Sequence, residues 1–431
     1  MDNILIELEK RDILSRMCES AFLAGIKEDG ESSASAENHL KELEGLVNTI
    51  GIPVTGSAVI PLRSVHPKWL IGKGKVEEIK KYIDEYKIDL VVFDNDLSPA
   101  QQRNLEKEWN VAVIDRREVI LDIFADRAVT REAVLQVALA RMKYSLPRLT
   151  RAWTHLSRQR GGARGNRGKG ETQLETDRRL VLDKIANLKK ELKKVSGQRS
   201  LRRKKRLERP LPSVSLVGYT NAGKSSLLNV LSGADVLAED KLFATLDPTT
   251  RRIELPGGRE ILLTDTVGFI RKLPHDLVDA FHSTLEEAVI ADVIVIVADA
   301  SNPELDDHLK VTEKVLKELG AGEKPQIHVL NKIDRIDNGL YEKLENSYPE
   351  SLMVSASSGN GINMLIERIS ETLDSSRTVV QLKLPSDRWD IRARLHKEST
   401  IIKEEFSGSD GILITAKLNK EEKGRFSEYI C

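Results

Sequence analysis

The stretch Gly218-Tyr-Thr-Asn-Ala-Gly223-Lys224-Ser225 decides how the second half of this chain folds. It fits the pattern G-x-x-x-x-G-K-[ST], in which glycines let successive backbone N–H groups surround a phosphate. An apolar run, Val214 to Val217, precedes it, and a helix-compatible run, Ser226 to Leu231, follows it. This order predicts a strand, a phosphate-binding loop and a helix whose positive dipole end faces the loop.

Every position of this loop is a predicted nucleotide contact. The set comprises Gly218, Tyr219, Thr220, Asn221, Ala222, Gly223, Lys224 and Ser225. We expect the Lys224 ammonium to reach the β- and γ-phosphates and to take part in catalysis, and the Ser225 hydroxyl to take one Mg²⁺ position. A glycine turn beside a surface lysine is the alternative, and the motifs downstream argue against it.

The first downstream motif, Asp265-Thr-Val-Gly268, ends an apolar run from Ile261 to Leu263. A carboxylate at a strand end can hold a metal ion through water, and the Gly268 amide can contact a γ-phosphate. Alone, the pattern D-x-x-G occurs in many turns, and here its place after the phosphate loop makes it informative. The predicted contacts are Asp265, Thr266, Val267 and Gly268, with Gly268 acting in catalysis.

A threonine-rich segment, Leu242-Phe-Ala-Thr-Leu-Asp-Pro-Thr-Thr-Arg251, lies between these two motifs. A loop threonine is needed to complete Mg²⁺ coordination in the triphosphate state. Thr245 is the first choice for this role, and Thr249 and Thr250 are rivals. An ordinary threonine-rich turn is the alternative for any one of them. The predicted nucleotide contacts in this segment are Phe243, Ala244, Thr245, Leu246 and Asp247.

The last motif, Asn331-Lys-Ile-Asp334, follows the apolar run Ile327 to Leu330 and indicates guanine. An aspartate can accept hydrogen bonds from the N1–H and 2-amino groups of guanine, and adenine lacks both donors. An unpaired carboxylate at such a site is costly, so this residue discriminates between the bases. The predicted base contacts are Asn331, Lys332, Ile333 and Asp334, together with Ser355, Ala356 and Ser357 after the next short strand.

Phe269 follows the D-x-x-G motif directly, where many GTPases carry a glutamine that orients the attacking water. A phenylalanine side chain has no polar atom for that task. We therefore expect slow hydrolysis of GTP by the isolated chain, with acceleration by a partner.

The composition bounds the class of protein. The chain has 431 residues, enough for about three domains, and only two cysteines, Cys18 and Cys431. The cysteine usage argues against a disulfide framework and fits a reducing compartment. No apolar run approaches the roughly 20 residues that span a membrane, and no secretion signal is evident at the N-terminus. We expect a cytoplasmic monomer.

Charge is distributed unevenly although the totals balance at 67 basic and 67 acidic residues. From Arg141 to Pro210 there are 23 basic and 6 acidic residues, which gives this segment a net charge of +17 and the rest of the chain −17. Such asymmetry favours a polyanionic partner.

The pattern along the chain predicts four domains. Strands alternate with helices over 1–125, which implies a parallel α/β domain, and an antiparallel helical hairpin follows over 126–211. In the hairpin Leu174, Val181, Leu188 and Val195 form an a/d seam, and Pro147 is placed to kink or end its first helix. A P-loop GTPase domain occupies 212–373 and a small α+β domain 374–431.

The segment between the two hairpin helices is rich in glycine and arginine. Glycine permits close backbone approach, and the arginine side chain matches phosphate geometry, so RNA is the predicted ligand. A solvated tip without a ligand is the alternative. The predicted RNA contacts are Arg158, Arg160, Arg164, Arg167 and Lys169.

A second glycine- and lysine-rich stretch, Ile71-Gly-Lys-Gly-Lys75, lies in the N-terminal region. It resembles part of a nucleotide loop and lacks the full motif. A helix start containing two glycines explains it as well, so a second nucleotide site stays open as the alternative.

The stretch Gly161-Gly-Ala-Arg-Gly-Asn-Arg-Gly-Lys-Gly-Glu171-Thr-Gln-Leu-Glu-Thr-Asp-Arg-Arg179 resembles the glycine-rich loop and following helix of the HflX family, among the Obg-related translation-factor GTPases. The segments Leu242–Arg251 and Asp265–Arg271 match as well, and the resemblance covers nearly the whole chain. Lys169 stands where the family usually has proline, so the loop is expected to be less stiff.

This resemblance implies binding to the large ribosomal subunit and its RNA, dissociation of stalled or stress-inactivated ribosomes, and ribosome-stimulated GTP hydrolysis. It supports Thr245 as the metal-binding threonine. It also implies ATP binding in the N-terminal region and K⁺ binding at Asn221. Two other functions stay open: a GTP-timed RNA-binding assembly factor for the large subunit, and a GTPase partner of an RNA-modifying enzyme.

Overall fold

A computed structural model describes residues 18–27, 29–62, 64–151, 167–207, 211–233, 242–256, 258–272, 287–375, 378–385, 387–406, 411–418 and 420–431. They form two compact units. The first contains the described residues up to Gly197 together with Leu242 and Phe243, and the second contains the remainder. Among the described residues, no helix has both the length and the apolar character that crossing a membrane requires.

The first unit is built on a four-stranded parallel sheet with the strand order β2-β1-β3-β4. Strands and helices alternate as β1 (Ala21–Lys27), α1 (Ser33–Thr49), β2 (Val54–Pro61), α2 (Lys73–Tyr86), β3 (Leu90–Phe93), α3 (Pro99–Trp109) and β4 (Ala112–Asp115). All four residues of β3 are buried, as in strands covered on both faces. The predicted parallel α/β fold of this region is confirmed.

Capping residues set the helix bounds in this sheet region. Ser98 and Gln101 form a capping box at the start of α3, Pro99 takes the first helical position, and Asn110 ends the helix in the left-handed conformation. The polar composition of Asp29 to Ser35 predicts a loop. Helix α1 nevertheless begins inside this stretch, because the Ser32 hydroxyl accepts a hydrogen bond from the Ser35 amide.

The described residues between Arg116 and Leu207 contain the helices α4 (Arg116–Arg127), α5 (Arg131–Ser145) and α6 (Arg167–Leu207). Helix α5 ends just before a 3₁₀ turn that contains Pro147, as the sequence predicts. In α6, Ile185 and Leu188 are buried and Val181 is half-buried, so this part of the predicted apolar seam is shielded from solvent. Its antiparallel pairing with α5 stays a prediction.

The length of α6 corrects two predictions. Arg167 and Lys169 lie in its first turn and not in a loop. The basic cluster Arg199 to Arg209, whose sequence predicts an exit linker, is helical as far as Leu207. Lysine at position 169 does not interrupt a helix as proline would, and the Lys-, Arg-, Glu- and Leu-rich sequence has high helix propensity. Arg158, Arg160 and Arg164 lie outside the described residues.

The second unit contains a six-stranded sheet with the strand order β10-β9-β8-β5-β7-β6. Only β6, at the edge, runs antiparallel to its neighbour. The chain order is β5 (Ser213–Gly218), α7 (Lys224–Ser232), β6 (Thr249–Leu255), β7 (Arg259–Asp265), β8 (Val293–Asp299), α8 (Leu305–Glu318), β9 (Gln326–Asn331), α9 (Asn338–Ser347), β10 (Leu352–Met353) and α10 (Ile362–Ser375). This is the predicted arrangement of a P-loop domain.

The chain ends in a three-stranded antiparallel sheet with the order β11-β13-β12. Its elements are β11 (Thr378–Leu384), α11 (Trp389–Glu398), β12 (Thr400–Phe406), β13 (Ile412–Leu418) and α12 (Lys420–Arg425). Leu382, Ile414 and Phe426 belong to its core. The α+β character of this region is confirmed, and the division of the whole chain into four domains stays a prediction.

One buried ion pair carries a stability prediction for the first unit. The Arg116 side chain is 1% exposed, and its guanidinium lies 2.8 Å from Asp94 Oδ1 and 2.9 Å from Glu42 Oε2. Arg116→Met should lower the free energy of unfolding by about 3 kcal/mol, because the buried Asp94 carboxylate loses its counter-charge. Arg131→Met, at a 68% exposed position paired with Glu191, should cost under about 1 kcal/mol in the same urea titration. Equal losses of unfolding free energy in the two variants would contradict a stabilising role for the buried ion pair.

Candidate functional site

The phosphate-binding loop joins β5 to α7, and its glycines are required by close contacts. An ideal Cβ at Gly218 would lie 2.0 Å from the Val297 carbonyl oxygen, and one at Gly223 would lie 2.2 Å from Asn331 Nδ2. Gly223 also has a φ of 91°, in the left-handed region that favours glycine. The sequence motif is therefore matched by a backbone that only glycine fits at these two positions.

Lys224 lies at the start of α7 and is almost fully buried. Its Nζ donates hydrogen bonds to the carbonyl oxygens of Gly218 at 3.2 Å and Tyr219 at 2.8 Å. Burial lowers the pKa of Lys224 to about 8, and the nearby Asp265 carboxylate opposes that shift. A bound polyphosphate would add negative charge at this loop and favour the protonated ammonium.

Three oxygen-bearing side chains converge beside the loop. Ser225 Oγ donates to Asp265 Oδ2 at 2.7 Å and lies 2.9 Å from Thr245 Oγ1. Burial raises the pKa of Asp265, whereas the Lys224 charge and the hydrogen bonds from Ser225 and Thr245 lower it. Asp265 Oδ1 is buried and without a hydrogen-bond partner among the described residues. Hydroxyl and carboxylate oxygens suit Mg²⁺, so these residues fit the ion that the sequence implies.

The rival threonines lie elsewhere. Thr249 and Thr250 belong to β6 and pair with β7, and Thr250 Oγ1 lies 3.0 Å from Thr264 Oγ1. Of the three candidate threonines, Thr245 is the one whose hydroxyl group lies within hydrogen-bond distance of Ser225. In the same segment Phe243 and Leu246 are each 2% exposed, so their side chains are turned into the protein.

The Asp265–Gly268 motif continues into a backbone pairing with the phosphate loop. The Phe269 amide donates to the Gly218 carbonyl at 3.0 Å, and the Thr220 amide donates to the Phe269 carbonyl at 2.8 Å. A Cβ at Gly268 would lie 2.7 Å from Thr220 Cα, so this approach needs glycine. The Phe269 side chain is 1% exposed and lies inside the protein. The position after the motif therefore presents no polar side chain to a water molecule.

Asn331 ties the base-binding loops to the phosphate loop. Its Nδ2 donates to the Ala222 carbonyl at 2.9 Å, and its Oδ1 accepts from the Ala356 amide at 3.0 Å. Asn331 is 1% exposed, so both hydrogen bonds are shielded from water. These two hydrogen bonds join the loop after β5 to the loop that contains Ala356.

Asp334 is exposed and held by hydroxyl groups. Its Oδ1 accepts a hydrogen bond from Ser355 Oγ at 2.6 Å, and Ser355 Oγ in turn lies 3.0 Å from Ser357 Oγ. The Ser355 hydrogen bond is the main cause that lowers the pKa of Asp334. The carboxylate is therefore ionised at neutral pH and oriented to accept hydrogen bonds from a base.

Three contacts in this unit were not predicted from the sequence. Asp299 Oδ2 lies 2.7 Å from Lys332 Nζ and so restrains the ammonium group of this predicted base contact. The Tyr219 ring stacks on His308 with centroids 3.6 Å apart, and the Tyr219 hydroxyl accepts from the Arg271 amide at 2.9 Å. Asp299 could have been found from its place at the end of β8, because functional residues often lie at the carboxyl ends of parallel strands.

The N-terminal stretch Ile71–Lys75 forms a helix start. Gly72 is the N-cap of α2, Lys73 pairs with Glu77 at 3.7 Å, and Lys75 pairs with Glu78 at 2.7 Å. These contacts favour the helix-start interpretation over a second nucleotide site.

Comparison with known proteins agrees with this site. Residues 37–125 match a family model described as GTP-binding GTPase N-terminal, 127–206 one described as GTP-binding GTPase middle region, and 213–332 one described as 50S ribosome-binding GTPase. A GTPase HflX of Akkermansia muciniphila is 48% identical over 414 residues, covering 93% of this chain and 94% of the relative.

Further relatives extend the comparison. A GTPase HflX of Caldanaerobacter subterraneus subsp. tengcongensis is 44% identical over 417 residues and covers 97% of this chain and 95% of its own length. A GTP-binding protein of Sulfolobus solfataricus, solved in complex with GDP, is 28% identical, with a TM-score of 0.43 and coverage of 83% and 99%. This chain belongs to the HflX GTPase family and is a P-loop GTPase that binds GTP and GDP.

Proposed function

We propose that this GTPase binds the large ribosomal subunit and dissociates stalled or stressed ribosomes when GTP is bound, and that the ribosome stimulates hydrolysis. The observation that carries the proposal is a complete nucleotide site with a buried phenylalanine at the water-orienting position. Such a site binds GTP and depends on a partner to hydrolyse it quickly. The match of residues 213–332 to a model described as 50S ribosome-binding GTPase supports the ribosome as that partner.

In the proposed mechanism, the loop residues Gly218 to Ser225 surround the phosphates with backbone N–H groups. Lys224 places its ammonium against the β- and γ-phosphates, and the Gly268 amide contacts the γ-phosphate. Ser225 and Thr245 would hold Mg²⁺ through their hydroxyl oxygens, and the Asp265 carboxylate would accept a hydrogen bond from water at that place. Mg²⁺, when bound, neutralises phosphate charge. Asn221 is the proposed K⁺ contact.

GTP controls ribosome binding through Thr245 and Gly268, because these two residues take part in nucleotide binding together only when the γ-phosphate is present. Loss of the γ-phosphate removes the contacts that keep the loops containing Thr245 and Gly268 ordered. The positive segment Arg141–Pro210, with a net charge of +17, supplies the attraction for ribosomal RNA. RNA contacts at Arg158, Arg160, Arg164, Arg167 and Lys169 are part of this proposal, as is a monomer acting in the cytoplasm.

Asp334→Asn tests the base assignment. The amide cannot accept from both guanine donors, so GTP affinity should fall about 100-fold. The same amide can donate to the 2-carbonyl of xanthine, so xanthosine triphosphate should bind better than to the unaltered chain. Isothermal titration with both nucleotides measures this. Glu342→Gln, on the exposed surface of α9, is the charge-matched control and should change neither affinity. Unchanged GTP preference in Asp334→Asn would remove Asp334 from the base site.

The isolated chain should hydrolyse GTP slowly, because Phe269 offers no group to orient water. Ribosomal subunits should raise the rate by at least about tenfold. Phosphate release in the presence of 50S subunits, 30S subunits or neither measures the effect. Fast turnover by the chain alone, or equal stimulation by 30S subunits, would contradict the proposal.

Ribosome dissociation is tested by sedimenting 70S ribosomes with the protein and GDP, GTP or a non-hydrolysable GTP analogue. The proposal expects separated subunits with GTP and with the analogue, and intact 70S ribosomes with GDP. Binding confined to immature large-subunit particles would favour the assembly factor instead.

Replacing Arg160, Arg164 and Arg167 together by alanine should weaken ribosome binding and flatten its dependence on salt, since each lost phosphate contact lowers the slope by about one. Replacing three basic residues at the other end of the same basic segment, Lys204, Lys205 and Arg206, is the matched control. Binding that keeps its affinity and its salt slope in the first variant would show that these arginines are not the contact.

A further inference from the structure

We infer that Asp299 is a positioning residue for nucleobase binding: by holding the Lys332 ammonium, it keeps the lysine side chain in the place where the base binds. The inference rests on the proposed base site, in which Lys332 is a predicted contact. It adds a residue that lies outside every motif of the nucleotide site and that acts through Lys332 without contacting the nucleotide itself.

The sheet brings Asp299 to the loop that follows β9. Strands β8 and β9 run parallel, and Asp299 is the register partner of Asn331 at their carboxyl ends. The Ala300 amide donates to the Asn331 carbonyl at 2.8 Å, so the backbone contact continues up to the residue that precedes Lys332. The place of Asp299 beside this loop is therefore set by hydrogen bonds at the edge of one sheet.

The Asp299 carboxylate is held in one orientation. Its Oδ1 accepts hydrogen bonds from the Ser301 amide at 2.9 Å and from the Ser301 hydroxyl at 2.6 Å. Its other oxygen, Oδ2, lies 2.7 Å from Lys332 Nζ. The two side chains of this ion pair are 16% and 13% exposed, so water screens their attraction less than it screens a pair on the open surface. Asp299 therefore presents a fixed acceptor to the ammonium.

Lys332 is restrained at its backbone as well as at its ammonium. It has a φ of 67°, in the left-handed region. The Arg335 amide donates to the Lys332 carbonyl at 3.0 Å, and the Ile333 amide donates to the Val354 carbonyl at 3.3 Å. With both ends fixed, the methylene chain between them has few conformations left.

A lysine side chain fixed in this way suits the face of a purine ring. Its methylene chain is apolar and can lie along an apolar surface while the ammonium stays at the polar rim. In the proposed site Asp334 binds the edge of the base and Lys332 covers its face. A free lysine side chain loses rotational freedom when it binds a ligand, and one that a carboxylate already holds avoids part of that loss.

Repulsion between two lysines makes the carboxylate necessary. Burial is the main cause that lowers the pKa of Lys224 to about 8; the Asp265 charge opposes this shift, and the positive charge of Lys332 adds to it. The two ammonium groups are therefore close enough to repel each other. Without Asp299, this repulsion would drive the Lys332 ammonium away from its present position.

The inference predicts a specific pattern of affinities. Contact with the ring face is common to all purines, whereas the hydrogen bonds of Asp334 depend on the 2-amino group, which hypoxanthine lacks. Loss of Asp299 should therefore weaken guanine and hypoxanthine nucleotides by the same factor. It should also leave the preference between diphosphate and triphosphate unchanged, because Lys332 is proposed to contact the base and not the γ-phosphate.

The experiment measures dissociation constants of GDP, inosine diphosphate and a non-hydrolysable GTP analogue for the full chain by isothermal titration. Asp299→Asn keeps an oxygen for Ser301 and removes the charge that holds Lys332, and it should weaken all three nucleotides about fivefold. Ser301→Ala keeps its amide donor and should weaken them in the same pattern to a smaller extent. Asp307→Asn, at a 69% exposed position paired with Lys310 on α8, is the charge-matched control and should change none of them.

Lys332→Met tests whether Asp299 acts through the lysine. Methionine keeps an unbranched apolar chain without the ammonium, so this variant should lose at least as much affinity as Asp299→Asn. In the Lys332→Met background, Asp299→Asn should cause no further loss, because the contact that it removes is already absent. Thermal unfolding checks that each variant is folded.

The outcomes separate this inference from the proposed base site. If Lys332→Met weakens binding and Asp299→Asn does not, the inference is wrong and the role of Lys332 stands. If Lys332→Met leaves all three affinities unchanged, Lys332 is not a base contact and the inference fails with it. Additive losses in the double variant, or a changed ratio of GDP to inosine diphosphate affinity in Asp299→Asn, would show that Asp299 does not act through Lys332 and would also overturn the inference.

Discussion

Parallel pairing of β5 with β7 and β8, and of β8 with β9, is the constraint on which the nucleotide site depends. In a parallel sheet the carboxyl ends of the strands meet at one edge. Each motif follows or ends one of these strands, at Gly218, Asp265 and Asn331. Residues more than a hundred positions apart in sequence are brought together by ladder hydrogen bonds, and the loops add only the final orientation.

Much of the fold and the site could be predicted from the sequence, because these strands carry their own signals. Val214 to Val217 and Ile327 to Leu330 are continuous apolar runs, and each precedes a motif with a known chemical requirement. Ser98, Pro99 and Asn110 mark the ends of one helix in the same local way. Where a residue type is demanded by its immediate neighbours, sequence reasoning succeeds.

The failures share a different physical cause. Asp299 pairs with Lys332, a residue 33 positions away, and the sequence contains no local sign of that ion pair. Arg167 was assigned to a loop because of its glycine neighbours, whereas the surrounding helix-forming residues outweigh them. The burial of the Phe243 ring against Phe124 likewise has no signal in the motif that contains it. Tertiary packing decides each of these cases.

The hydrogen bonds of Asn331 have a consequence for selectivity among cellular polyphosphates. They link the loop proposed to hold the phosphates to the loop proposed to hold the base, through Ala222 on one side and Ala356 on the other. The spacing between these two loops is thereby set by the protein itself. In the proposed site, inorganic pyrophosphate or triphosphate would use the phosphate contacts only, and so should compete poorly with a nucleotide whose length matches that spacing.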